Sequence, residues 1–99
     1  MTGREIIDGM VRGDIPLPSV AGLLGMRAGD YGDGRASVVM PAAPEQGNAA
    51  ATMHGGIVAT LLDSAMFFAY VTTLGEGQFA TTLQMNVQYL RPVPLDGGE

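Results

Sequence analysis

Asn48, His54, Gly55, Gly56 and Asp63 are the residues of this sequence best equipped to do chemistry. Two adjacent glycines ahead of a long apolar run put bare backbone N–H groups at a helix start, the positive end of its dipole. With no side chain in the way, a ligand carbonyl can approach and accept from them. Such an arrangement suits an oxyanion developing on an attacked acyl group. On their own the two glycines more commonly serve only as a tight loop-to-helix turn. Asp63 adds a second signal. It lies inside the apolar run, on the helical face shared with Gly56, Ala59, Thr60, Met66, Phe67 and Tyr70. A carboxylate there is costly unless it is hydrogen-bonded or functional, and the two readings weigh evenly for an isolated acid.

Spacing constrains how these groups cooperate. Gly55 and Asp63 are eight residues apart, which on one helix is about 12 Å along the axis. One acyl carbon cannot touch both. If both act on one carbonyl, the site combines the helix start of one subunit with the aspartate of another, and a two-fold dimer builds two such sites. Other chemistries find no support. There is no Gly-x-Ser-x-Gly elbow, and Ser64 points about 100° away from Asp63 on a helix. His54 is the single histidine and cysteine is absent, which argues against a zinc site, a thiol nucleophile and disulfides. The Gly-x-Gly triplets at 32–34 and 75–77 read as turns rather than as a phosphate cradle.

The elements that must position these residues follow from periodicity. Residues 3–12 predict a short amphipathic helix with Ile6, Ile7, Met10 and Val11 on one side. Pro16 and Pro18 then predict an extended connection. Leu23 to Ala28 and Arg35 to Met40 predict a hairpin, with its turn in the Gly-Asp-Tyr-Gly-Asp-Gly stretch at 29–34. Pro41 to Ala51 reads as a loop. A central helix at 54–74 follows, with Val58, Leu61, Leu62, Ala65, Phe68, Ala69 and Thr72 on one stripe and apolar or small residues on most of the rest. Gly75 and Gly77 stop it. Strict alternation at 82–90, with Leu83, Met85, Val87 and Tyr89 to one side, predicts a half-buried strand. About three strands cannot wrap a helix that is apolar on nearly every side, so a second chain or further strands must supply the cover.

Bulk properties bound the rest. The 99 residues predict one α+β domain, with 46% apolar residues, 15% charged residues and a net charge of −5. So little surface charge suggests that part of the chain is covered by another. The five basic residues are all arginines and none adjoins another. That excludes the clustered basic footprint of a nucleic-acid binder and the polybasic patch of a membrane-surface protein. The stretch at 57–74 is long enough to suggest a membrane span. Asp63 near its centre would cost roughly 3 kcal/mol, however, and no Lys or Arg flanks it. The opening Met-Thr-Gly-Arg-Glu carries no apolar signal region, which predicts a cytoplasmic address.

Taken together, Asn48, His54-Gly55-Gly56 and Asp63-Ser64-Ala65 at these spacings resemble the hotdog-fold thioesterases of the PaaI type. The stretch Leu83 to Val93 is similar to that family's strand after the central helix. Ile15-Pro16-Leu17-Pro18 and Leu24-Gly25-Met26 resemble its lead-in, so the likeness spans essentially the whole chain. The resemblance implies an antiparallel sheet wrapped around a long central helix. It also implies that further strands follow the Arg-Pro-Val segment, so that residues 1–99 hold about the first two-thirds of the domain.

The implied activity is hydrolysis of an aryl- or short- to medium-chain acyl-coenzyme A thioester to the free acid and coenzyme A. No cofactor is implied, since coenzyme A belongs to the substrate. Asp63 corresponds to the catalytic carboxylate, acting as general base or nucleophile, and Asn48 to the residue that helps hold the attacking water. The Gly55 amide corresponds to the group that polarises the thioester carbonyl, His54 to the residue that shapes the turn, and Thr82 to a hydroxyl beside the acid. The implied partners are the acyl-coenzyme A substrate and copies of the chain itself, as a homodimer or a dimer-of-dimers tetramer with shared sites. Phe67, Phe68, Met66, Ile6 and Met10 could line an acyl pocket or simply form core. Two rivals stay open: a hotdog protein that binds an acyl thioester without cleaving it, and a hotdog dehydratase or hydratase.

Overall fold

The computed structural model describes all residues from Met1 to Glu99. Helix α1 (Gly3–Arg12) forms where amphipathic spacing predicts it. Thr2 and Glu5 build a reciprocal capping box at its start, and Gly13 ends it in the left-handed region at φ 89°. Residues expected to be extended form a second short helix instead, α2 (Ser19–Leu24), which starts after Pro18 and stops at Gly25 with φ 73°. Leu23 and Leu24 therefore belong to a helix and not to the hairpin.

The hairpin itself consists of β1 (Arg27–Gly32) and β2 (Arg35–Val39), paired antiparallel. Its turn is only Asp33-Gly34, because a bulge between Ala28 and Tyr31 lets Gly29 and Asp30 continue the strand rather than bend it. The Ser37 hydroxyl donates to the Asp30 carbonyl at 2.9 Å across this bulge. After a short 3-10 turn at Pro44–Gln46, the long helix α3 runs over Gly55–Val71. It ends three residues earlier than predicted. The hydroxyls of Thr72 and Thr73 donate back to the carbonyls of Ala69 and Tyr70, both at 2.6 Å, and close the last turn. No helix of the chain is long and apolar enough to cross a membrane.

The α3 helix packs on β2, and the core gathers between them. Ala21, Met26, Met40, Ala42 and Met53 are buried, with Ile57, Val58 and Leu61 of α3 packed against them. At the far end of α3, α1 comes so close that the Gly3 N–H donates to Leu74 O at 2.9 Å. A Cβ on Gly3 would stand 1.8 Å from Val71 O, so only glycine fits that contact. The predicted stripe needs one correction. Leu62 lies with Met66 and Tyr70 on an i, i+4, i+8 row that stays exposed, not on the row facing β2.

Residues 82–90, predicted as a strand, form no ladder: the sheet contains β1 and β2 alone. Alternation sets which side chains share a face, but a strand also needs a neighbour to accept and donate its backbone hydrogen bonds. Neither β1 nor β2 is that neighbour here. Phe79, Leu83 and Leu90 are 89%, 99% and 90% exposed, so the expected shortage of cover over this half is a feature of the structure.

Candidate functional site

The start of α3 is assembled by the loop before it. Gln46 is buried; its side-chain carbonyl accepts from Ala43 N–H at 3.0 Å, and its backbone carbonyl accepts from His54 N–H at 2.7 Å. Residues 48–52 then form a closed turn around the Asn48 side chain. The Asn48 amide oxygen accepts from Ala50 N–H at 2.9 Å and Thr52 N–H at 3.1 Å. Its amide nitrogen donates to the Thr52 hydroxyl at 3.0 Å. Asn48 thus shapes its own loop, and Ala51 is held at φ 59° to complete the turn.

His54 caps the helix in a way that changes the donor inventory. Its Nδ1 accepts from Gly56 N–H at 2.9 Å, which places the ring proton on Nε2 in the neutral form. The N–H groups of Ile57 and Val58 both donate to His54 O, at 2.9 and 3.2 Å. Gly55 N–H alone, of the first four amides of α3, has no acceptor in the chain. The two glycines therefore offer one free amide rather than two. Gly55 lines a cleft together with Asn48, Val58, Leu62, Tyr89 and Arg91. Arg91 forms no ion pair or hydrogen bond within the chain, and no carboxylate lines this cleft.

Asp63 opens into a different cleft, on the far side of two helical turns. Met66, Phe67, Tyr70 and the segment from Ala80 to Met85 surround it. Asp63 is half-buried, and its Oδ1 accepts from the Thr82 hydroxyl at 2.5 Å. The two groups of predicted site residues thus fall into two places: Asn48, His54 and Gly55 around the start of α3, and Asp63 with Thr82 along its middle. The candidate pocket residues divide as well. Met66 and Phe67 stand beside Asp63, whereas Phe68 and Met10 line an apolar pocket on the hairpin side, and Ile6 lines neither.

One contributor had no distinguishing signal in the sequence. The Tyr89 hydroxyl donates to Gly55 O at 2.7 Å and joins the segment 82–90 to the helix start. Alternation gave Tyr89 a face but not this partner.

The thioesterase superfamily model matches residues 50–97, a span that holds His54, Gly55, Asp63, Thr82 and Tyr89. Three solved structures are similar over most of the chain. A phenylacetic acid degradation-related protein from Ralstonia eutropha JMP134 is 28% identical with a TM-score of 0.83, covering 90% of this chain and 69% of its own. A thioesterase family protein from Silicibacter pomeroyi is 29% identical with a TM-score of 0.78, covering 87% and 63%. A conserved protein from Pseudomonas aeruginosa is 32% identical with a TM-score of 0.75, covering 82% and 64%. The chain therefore spans about two thirds of the length of each. No curated protein matches it.

Proposed function

From the premise that this chain belongs to the thioesterase superfamily, as a hotdog-fold protein of the PaaI type, we propose that it hydrolyses acyl-coenzyme A thioesters. The observation that carries the reading is the single free amide of Gly55, at a helix N-terminus on a residue that lines an open cleft. Such a donor stabilises the charge that appears on a thioester oxygen only once the carbon is attacked. Asp63 supplies the base. It takes a proton from water, the water oxygen bonds to the acyl carbon, and the carbonyl oxygen becomes an oxyanion against Gly55 N–H. The C–S bond then breaks, and the proton passes to the departing sulfur. Thr82 holds the carboxylate in place through its hydroxyl, and Asn48 keeps the loop over the helix start closed. The reaction as written needs no cofactor.

Two further features support the details. The cleft at Gly55 carries an unpaired Arg91 and no carboxylate in a chain of net charge −5, which favours a substrate with an anionic handle such as coenzyme A. Because α3 is continuous from Gly55 to Val71, its eight-residue separation keeps Gly55 and Asp63 about 12 Å apart along the axis. A homodimer with antiparallel copies of α3 would bring Asp63 of one subunit to Gly55 of the other. His54 favours hydrolysis over hydration, since its Nδ1 is occupied as a cap rather than poised to shuttle protons.

The test is release of free thiol from benzoyl- and hexanoyl-coenzyme A by the full-length protein. Turnover of either, reduced at least about a hundredfold by Asp63→Asn with KM little changed, is the expected result for loss of a general base. Near-normal turnover in the variant would remove Asp63 from the mechanism. Binding without thiol release would assign the chain to the non-catalytic rival.

A further inference from the structure

An oxyanion is best held by more than one donor, yet the start of α3 offers only one. Gly56 N–H is committed to His54 Nδ1, and Ile57 and Val58 N–H to His54 O. The missing donor stands beside the free one. Tyr89 lies over Gly55, with its hydroxyl and ring-edge atoms 3.4–3.5 Å from the position a Cβ on that residue would occupy. Its hydroxyl hydrogen-bonds Gly55 O at 2.7 Å. Tyr89 therefore fills the side-chain space that glycine leaves empty, on the residue whose N–H is unpaired.

We propose that the Tyr89 hydroxyl is the second hydrogen-bond donor to the acyl oxygen, turning from Gly55 O to the substrate when a thioester carbonyl settles against Gly55 N–H. This rests on the reading of the Gly55 amide as the group that polarises that carbonyl. Gly55 O does not depend on Tyr89, because the α-helical pattern supplies it with Ala59 N–H. The hydroxyl can leave without stranding an acceptor. Tyr89 lines the same cleft as Asn48 and Gly55 and is 55% exposed, so a ligand there reaches it. The N–H and C=O of a helical residue point opposite ways along the axis, so the redirection takes a swing of the Tyr89 side chain, which its half-exposed position leaves room for.

Tyr89→Phe in the full-length protein keeps the ring and removes only the donor. The expected result is a kcat at least about tenfold lower with KM within about twofold, the pattern of an interaction made in the transition state. An unchanged kcat, or a change confined to KM, overturns the proposal. A second measurement does not need turnover. With acyl-coenzyme A labelled at the carbonyl carbon and bound to the Asp63→Asn protein, the infrared carbonyl band should lie below its position in water. Adding Tyr89→Phe should move it part of the way back. A band lowered equally with and without the hydroxyl removes Tyr89 while leaving the role of Gly55 intact. A band that is not lowered in either protein removes both.

Discussion

Two regions of this molecule are held in opposite ways. At the corner where α1, the hairpin tip and the end of α3 meet, polar groups of different elements bond one another directly. Gly3 N–H reaches Leu74 O, Gly34 N–H reaches the buried Thr72 hydroxyl at 2.8 Å, and the Tyr31 hydroxyl reaches Asp8 at 2.6 Å. Arg4 bonds Asp8 and Asp33 and lies over the Tyr31 ring, 5.2 Å from its centroid. The segment from Phe79 to Leu90 has no such framework. Two side-chain hydrogen bonds join it to α3, Thr82 to Asp63 and Tyr89 to Gly55, and both end on residues of the candidate site. The difference separates a corner tied together by its own elements from a site-bearing half whose large apolar side chains stay exposed.

The largest effect should come from breaking the corner. Gly3→Ala puts a methyl group where Val71 O already stands, 1.8 Å away, and α1 must shift off the end of α3 to admit it. Overpacking of this kind costs roughly 1–3 kcal/mol, and the backbone neighbour cannot rotate aside, so the upper end of that range is expected. Urea unfolding of the full-length variant measures it. A loss below about 0.5 kcal/mol, the level of an indifferent surface change, would show that the α1–α3 contact is not tight.

A smaller effect concerns pH. The hydrogen bond from Tyr31, then that from Arg4, holds the Asp8 carboxyl below its ordinary range, and the same Tyr31–Asp8 bond pushes the phenol above its own. Asp8, with its lowered folded value, contributes stability that is present above the unfolded carboxylate value of about 4 and is lost as pH falls through the folded one. Tyr31, with its raised value, contributes stability that is present below about 10 and is lost as pH rises through the folded one. The corner should thus be firmest between those limits. Comparing Tm against pH for the parent and Tyr31→Phe isolates the pair: the variant should lose the alkaline decline due to Tyr31 and have a shallower acid one. Superimposable profiles would mean that the bond is not formed in solution.

What was legible in the sequence divides along the same line. Local signals held where one element decides: the amphipathic spacing around Ile7 and Met10 for α1, and the apolar run behind His54-Gly55-Gly56 for α3. The spacing that singled out Asn48, Gly55 and Asp63 is a property of one loop and one helix. Partnerships were not legible. Six residues of α2 are too few for periodicity to register, and Pro18 ahead of them suggested an extended path equally well. The bulge at Gly29-Asp30 moved the turn to Asp33-Gly34, because glycines serve a bulge and a turn alike. Nor could the residue types show that Thr52 engages Asn48, that His54 takes the Gly56 amide, or that Tyr89 rests on Gly55. Each depends on how side chains meet in space.

The smallest effect is protection from hydrogen exchange, and here the site-bearing half should give almost none. No backbone N–H from Phe79 to Arg91 donates to another backbone group or to a side chain in this chain. The alternating segment is tied through the Thr82 and Tyr89 side chains alone. Side-chain ties fix where a segment lies without shielding its amides, so exchange there needs no opening of structure. In the 99-residue chain, amides 79–91 should exchange within about tenfold of the unstructured rate, whereas Gly3, Gly34 and the interior of α3 should be slower by the local opening equilibrium. Appending carboxy-terminal strands from one of the longer similar structures should slow alternate amides between 82 and 90 if a neighbouring strand pairs with that edge, because an antiparallel partner accepts from every second N–H on one side. Slow exchange already present in the 99-residue chain would mean that the segment has found a ladder partner, in this chain or in a second copy. The contrast between the two regions would then be one of assembly rather than of the chain itself.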